Sequence, residues 1–374
     1  MDFALGAERA ALVARVRAFV ERELIPHEDA VEAAGEVDPA VVARIREAAL
    51  AAGLYAANMP RDLGGGGLDA ISLALMDREL GRAAFALQYA VARPSNILRA
   101  CRGDQIERYL LPAIRGERVE CLAMTEPGAG SDLRAMTTRA VRDGNDFVID
   151  GRKHFISYAD VADFAVVFAA TGATGTARGP RKLLTSFLID KGTPGFTVRR
   201  GAEAVSHRGF HHCELAFDAC RVGADQVLGA IDQGFEVANT WLGSTRLTVA
   251  AQCVGRARRL LDIMRERATM DDAEALADSA AEIAAAELLT LDAAARFDRG
   301  AMTDADAAMA KLHASETLGR VADRALQILA DEGLREDRPV ARLWRDARVE
   351  RIWDGTSEIQ RLIIARSLLR PREG

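Results

Sequence analysis

The sequence predicts an α+β multidomain protein: a helical N-terminal domain (residues 1–118), a small β domain (119–224) and a helical bundle (225–374). Three observations carry this. Ala, Leu, Glu and Arg recur at helical spacing up to about residue 118. The texture then changes to short runs rich in β-branched and aromatic residues, and from about residue 225 long helical patterns return.

The first block is punctuated by Pro26, Pro39, Pro60 and the turn Gly64-Gly65-Gly66-Gly67. In the second, Phe147-Val148-Ile149 runs into Asp150-Gly151. It is followed by Phe164-Ala165-Val166-Val167-Phe168, Ser186-Phe187-Leu188-Ile189 and Cys213-Glu214-Leu215-Ala216-Phe217, each bounded by Gly, Asp or Pro turns. In the third, Ala-rich stretches at 273–296 and 305–330 imply closely packed helices.

Composition narrows the function. The 374 residues are 49% apolar and 28% charged, ordinary for a globular protein, with a net charge of −6. No basic stripe of the kind nucleic-acid binding needs is present. Residues 1–25 carry Asp2, Glu8 and Glu21 through an amphipathic pattern, unlike a signal peptide, and no apolar run approaches a membrane span. The expected location is cytoplasmic, with Cys101, Cys121, Cys213, Cys220 and Cys253 as reduced thiols.

Two segments carry chemistry. In Ile352-Trp353-Asp354-Gly355-Thr356-Ser357-Glu358-Ile359-Gln360-Arg361 a lone carboxylate precedes a flexible step into an apolar helix. Trp353 can keep such a base dry while Gly355 admits another backbone or a ligand. The plainer reading is a helix start, with Thr356 or Ser357 as cap and Glu358 in the first turn. The second segment, Cys121-Leu122-Ala123-Met124-Thr125-Glu126-Pro127-Gly128-Ala129-Gly130-Ser131-Asp132, reads as a strand edge opening into an anion-cradling loop. It lacks the helix and distant acidic residue of a Rossmann fingerprint.

Together these segments resemble the acyl-CoA dehydrogenase family of flavoproteins, in its Thr-Glu-Pro-Gly-x-Gly-Ser-Asp signature and its C-terminal carboxylate-Gly-Thr-Ser-Glu-Ile-Gln element. Lys153-His154-Phe155-Ile156-Ser157, Gly229-x-x-x-x-Gly234-Phe235, Thr245-Arg246 and Trp344-Arg345-Asp346-Ala347-Arg348 fit the same order. The resemblance implies a β-barrel or sandwich as the middle domain and a four-helix bundle at the C-terminus. It implies FAD as cofactor, and oxidation of an acyl-CoA thioester to the 2,3-enoyl-CoA with an electron-transfer flavoprotein as acceptor. A homodimer or homotetramer is implied as well.

Residue by residue, the resemblance makes Asp354 the base, its own backbone N–H helping to polarise the thioester carbonyl. Leu122, Met124 and Thr125 match the segment along the flavin ring. Gly130 and Ser131 match the loop near the pyrophosphate and the CoA chain. Phe155, Ile156 and Ser157 match the wall and the hydroxyl donor at flavin N5, with Phe and Ser where the family usually has Trp and Thr. Arg246 and Gly355 match positions near the substrate, and Thr356 and Glu358 positions that touch FAD. Arg267 and Gln327 match the ADP-binding segments.

Several departures bear on function. Asp354 replaces the usual Glu, a reach shorter by roughly 1.5 Å, which suits a branched, cyclic or otherwise unusual acyl group. The alternative position for the base holds Thr245, which cannot serve. Nitroalkane oxidase, a relative, also has Asp here, so a flavin oxidase is the alternative. Arg267-Ala268-Thr269-Met270-Asp271 and Gln327-Ile328-Leu329-Ala330-Asp331-Glu332-Gly333 lose the family's Phe and Gly and gain acidic residues, with Asp278 near the usual Gln. Those changes imply a weakened ADP site or a non-catalytic member. His207, His211 and His212 read as loop and strand histidines with no metal; Arg93 matches the region that closes the acyl pocket, where it would pair with a terminal carboxylate of a dicarboxylyl-CoA, but reads first as a solvated arginine at a helix end.

Overall fold

A computed structural model describes residues 5–176 and 179–369; Asp2, which entered the reading of the N-terminus, lies outside them. The N-terminal block forms α1 (Ala7–Phe19), α2 (Glu28–Ala34), α3 (Pro39–Ala51), α4 (Ala70–Leu80), α5 (Phe85–Gln88) and α6 (Leu111–Ile114). Their starts follow capping chemistry: the Asp38 carboxylate accepts from the Ala40 N–H (2.8 Å) with Pro39 behind it, and Asp69 accepts from the Ser72 N–H (2.8 Å).

The middle block is one mixed sheet of β1 (Glu120–Ala123), β2 (Arg139–Asp143), β3 (Asp146–Ser157), β4 (Phe164–Thr176), β5 (Gly179–Asp190), β6 (Phe196–Arg200), β7 (His212–Gly223) and β8 (Val227–Leu228). Strand order is β6-β7-β3-β2-β4-β5-β8, with β1 parallel to β4. The apolar run at 164–168 is buried on both faces, which is why it shows no polar alternation. Phe164, Val166 and Phe168 join the core shared with the N-terminal helices, including Phe19 and Tyr109, while Ala165, Val167 and Ala169 face the opposite core with Phe147 and Phe187.

The C-terminal block comprises α7 (Gly234–Arg267), α8 (Ala273–Asp298), α9 (Asp304–Gly333), α10 (Pro339–Val349) and α11 (Ser357–Leu369). A third core of small residues holds α7, α8 and α9 together. The helix α4 crosses α7 at two glycines: a Cβ on Gly255 would sit 1.9 Å from the Arg78 carbonyl oxygen, and one on Gly81 would sit 2.5 Å from that of Gln252. No helix of the described residues is long and apolar enough to cross a membrane.

Candidate active site

Glu126, in the loop after β1, is buried, and its carboxylate accepts from Thr137 N–H (2.6 Å), Thr137 Oγ1 (2.7 Å), Thr138 N–H (3.0 Å) and Lys153 Nζ (2.9 Å). Burial pushes this carboxyl up, but the Lys153 ammonium and the Thr donors outweigh it and hold it down to about 2. Burial lowers Lys153 to about 8. Lys153 Nζ also donates to the Met124 carbonyl (3.0 Å), and the His154 N–H donates to that of Thr125 (2.9 Å). Segments 122–126 and 153–157 are thereby joined. Sequence reading gave Glu126 no role; it and Lys153 are the pin that shapes the loop.

Pairing of β3 with β7 shifts register between Lys153 and Ile156. At this bulge Phe155 has φ 54° and is 59% exposed, although its strand neighbours Lys153 and Ile156 are buried. Bulges re-aim side chains, and an aromatic at positive φ is strained. The bulge thus presents Phe155 outward and leaves Ser157 beside it. The Ile156 side chain points into the sheet core, which leaves its backbone to meet a ligand. Ser131 and Gly130 lie exposed in the loop, and a Cβ on Gly130 would meet nothing within 4 Å.

His212, absent from the expected site, lies next to these residues. Its Nδ1 is 3.2 Å from Ser157 Oγ, and its ring centroid lies 6.1 Å from Phe155 and 6.3 Å from Trp353. Burial lowers its pKa to about 4, so it is neutral at physiological pH. His211 instead faces Asp160 (2.8 Å) and the Gly35 carbonyl (3.1 Å), on the other side of the strand. Trp353 leads directly to Asp354, so the ring contacts join the middle domain to the C-terminal carboxylate.

Asp354 stands at φ 50° and Gly355 at φ 90°, where a Cβ on Gly355 would fall 2.5 Å from Gln360 Nε2. The φ of 90° favours glycine at 355, and a side chain there would displace the Gln360 amide. The Thr356 hydroxyl accepts from the Ile359 N–H (3.2 Å) and so caps α11, while Glu358 is exposed in its first turn. The capping reading therefore describes Thr356 and Glu358 but leaves Asp354 free. Asp354 is half-buried; burial pushes its carboxyl up to about 6, with Lys311 and Arg246 opposing the rise and Glu350 adding to it. Thr245 Oγ1 is spent on the Trp241 carbonyl (2.9 Å). Arg246 donates to Asp304 (3.1 Å), and its Nε is buried with no partner.

Behind Asp354, the Trp353 Nε1–H donates to Glu350 (2.7 Å), which also pairs with the buried Arg256. Burial raises the Glu350 carboxyl, but Arg256, His207 and Trp353 bring it down to about 2. Phe85 lies 5.0 Å from the Trp353 ring, and Tyr89, Tyr158 and Phe210 extend this aromatic block. Arg93 belongs to it and is not solvated: it is buried, lies over the Tyr89 ring and pairs with Glu120 (2.8 Å).

Arg267 and Gln327 lie elsewhere. Arg246 and Arg267 are both on α7, about 30 Å apart along its axis. Arg267 donates to Glu332 (3.0 Å), which Arg338 also approaches (3.3 Å), and Gln327 is exposed. The acidic Glu332 is thus neutralised within the chain. Ala330 has φ 48° and ψ −124°, a glycine-like conformation held by an alanine. The residues present fit the ring half of a flavin, with a presented aromatic at Phe155 and a hydroxyl at Ser157. Of the two residues matched to the ADP half, Arg267 is the cation, and it is already engaged by Glu332.

Three family models match in order: Acyl-CoA dehydrogenase, N-terminal domain at 6–117, middle domain at 121–220 and C-terminal domain at 232–369. The chain is 34% identical over 376 residues to the short-chain specific acyl-CoA dehydrogenase, mitochondrial, of Homo sapiens, across 96% of this chain and 89% of that one. It is 31% identical over 371 residues to the 3-(aryl)acrylate reductase of Clostridium sporogenes, across 95% and 96%. The butyryl-CoA dehydrogenase structure from Megasphaera elsdenii matches with a TM-score of 0.89 at 29% identity, covering 99% of this chain and 100% of that chain.

Proposed function

This chain belongs to the acyl-CoA dehydrogenase family, whose members are FAD-dependent oxidoreductases, and on that premise we propose that it desaturates an acyl-CoA thioester with Asp354 as the base. Asp354 takes the proton from the carbon next to the thioester carbonyl, and its own backbone N–H polarises that carbonyl. Bound FAD supplies the hydride acceptor. Leu122, Met124 and Thr125, with Phe155, the Ile156 backbone and Ser157, hold the ring half. Gly130 and Ser131 serve the pyrophosphate, Arg267 and Gln327 the ADP half, and Thr356 and Glu358 complete the cofactor site. Arg246, Ser131 and Gly355 meet the substrate.

The observation that carries this reading is the Asp354 carboxylate. It is displayed on a left-handed turn, raised to about 6, and linked through Trp353 and His212 to Ser157 and Phe155. The aromatic block behind Trp353 supports a short or compact acyl group, in keeping with the shorter reach of Asp. An electron-transfer flavoprotein takes the electrons, and the chain acts in the cytoplasm as a homodimer or homotetramer.

The test is anaerobic titration of the purified yellow protein with straight, branched, cyclic and dicarboxylic acyl-CoAs. Bleaching of the flavin by one class is expected. A yellow protein that no acyl-CoA bleaches, but that nitroalkanes reduce and air rapidly reoxidises, would replace this reading with the oxidase, which the Asp at position 354 favours.

A further inference from the structure

Lys311 lies on α9 within a stripe of small buried residues, Ala307, Ala308, Ala310, Ala314 and Leu318, and is itself 0% exposed. An ammonium there requires acceptors. It has three donors and uses all three: Nζ donates to the carbonyls of Glu350 (2.7 Å), Trp353 (3.1 Å) and Gly355 (2.8 Å). Those carbonyls bracket Asp354. The turn they belong to has two successive residues at positive φ and precedes the first residue of α11, so regular secondary structure does not hold it.

We propose that Lys311 is a positioning residue for the Asp354 base, holding the turn that presents the carboxylate and placing a positive charge behind that turn. This rests on reading Asp354 as the base. The charges around the pair explain why Lys311 matters more than its neighbours. Asp354 is faced by Lys311 from α9, by Arg246 from α7 and by Glu350 just past α10. Arg246 is paired with Asp304. Glu350 is balanced by Arg256, with His207 Nε2 3.3 Å away. Cys253 and Glu316 also face Lys311. Lys311 alone among these cations spends its hydrogen bonds on neutral carbonyls, so its charge acts on Asp354 without a carboxylate partner. A leucine or methionine would fill the stripe equally well but would take the Lys311 donor from the Glu350 and Trp353 carbonyls and leave the Gly355 carbonyl with Gln360 Nε2 alone (2.9 Å).

The experiment follows flavin reduction by acyl-CoA, anaerobically and across pH, in FAD-loaded wild type, Lys311→Met, Lys311→Gln and Lys311→Ala. Lys311→Met is expected to reduce on the order of a hundredfold more slowly at neutral pH, with the midpoint of the pH profile moved up by about one unit or more as the opposite charge is lost. Lys311→Gln keeps donors without charge, so it isolates the midpoint shift and serves if the Met variant does not fold. Ethylammonium added to Lys311→Ala restores part of the rate. A Gln variant with the wild-type midpoint, or slow variants whose midpoint does not move, would overturn the proposal and leave Lys311 a purely structural residue. Failure of the base reading looks different: Asp354→Asn would then still be reduced, whatever Lys311 does.

Discussion

A carboxylate serves as a base only when ionised, so the environment of Asp354 sets the working pH. Burial raises it to about 6, and flavin reduction by substrate is expected to climb as pH rises through that value. A profile flat from pH 5 to 8, measured by rapid mixing, would contradict this assignment of the group. Length is the other lever. Asp354→Glu extends the reach by roughly 1.5 Å; a gain on straight chains with a loss on compact ones is the expected outcome. Ala330 offers a test unconnected with chemistry. Its φ of 48° with ψ −124° belongs to glycine, and Ala330→Gly is expected to raise stability by about 1 kcal/mol in thermal unfolding.

Elements position these residues, and the Glu126–Lys153 pair is the clearest case. Removing the cation strands a buried carboxylate, so Lys153→Met is expected to cost about 3 to 5 kcal/mol in denaturant unfolding and to weaken FAD retention. The sign with pH follows from the depressed Glu126 carboxyl. Its contribution is present above its ordinary value of 4.5 and is lost as pH falls through about 2, so the gap between variant and wild type narrows in acid. The α4–α7 crossing makes a second demand: Gly255→Val forces the helices apart and is expected to destabilise by about 1 to 3 kcal/mol or more. The strands β3, β4, β5 and β7 were readable because each carries a short apolar run bounded by Gly, Asp or Pro turns. The strand β2, Arg-Ala-Val-Arg-Asp, was not, since four of its five residues are exposed. The bulge at Phe155 was also hidden, because a register shift depends on the partner strand.

At the scale of the whole molecule, the N-terminal helices pack on one face of the sheet and the C-terminal bundle brings the Trp353-Asp354 turn to the end of β3 and the start of β7, at Ser157 and His212. The motifs around Asp354 and Thr125 were visible in the chain, as was the α–β–α order. What surrounds the base was not. His212 and Arg256 come near it across long sequence separations, Glu350 does so only once the turn after α10 folds back, and Lys311 sits within an Ala-rich stretch, where a lone lysine on a buried stripe was the available signal. Arg93 was misjudged because its partner, Glu120, lies on a strand 27 residues away. The measurement that tests the central claim most directly is anaerobic reduction of FAD-loaded Asp354→Asn beside wild type, with thermal stability recorded on both. Above its folded value of about 6 the wild type bears the cost of ionising a half-buried carboxylate, so Asn should be more stable at neutral pH, by no more than about 3 kcal/mol. With Asp354 as the base, the variant folds, keeps its FAD, melts no lower than wild type and is not bleached by acyl-CoA. Bleaching at a rate within about tenfold of wild type would contradict it.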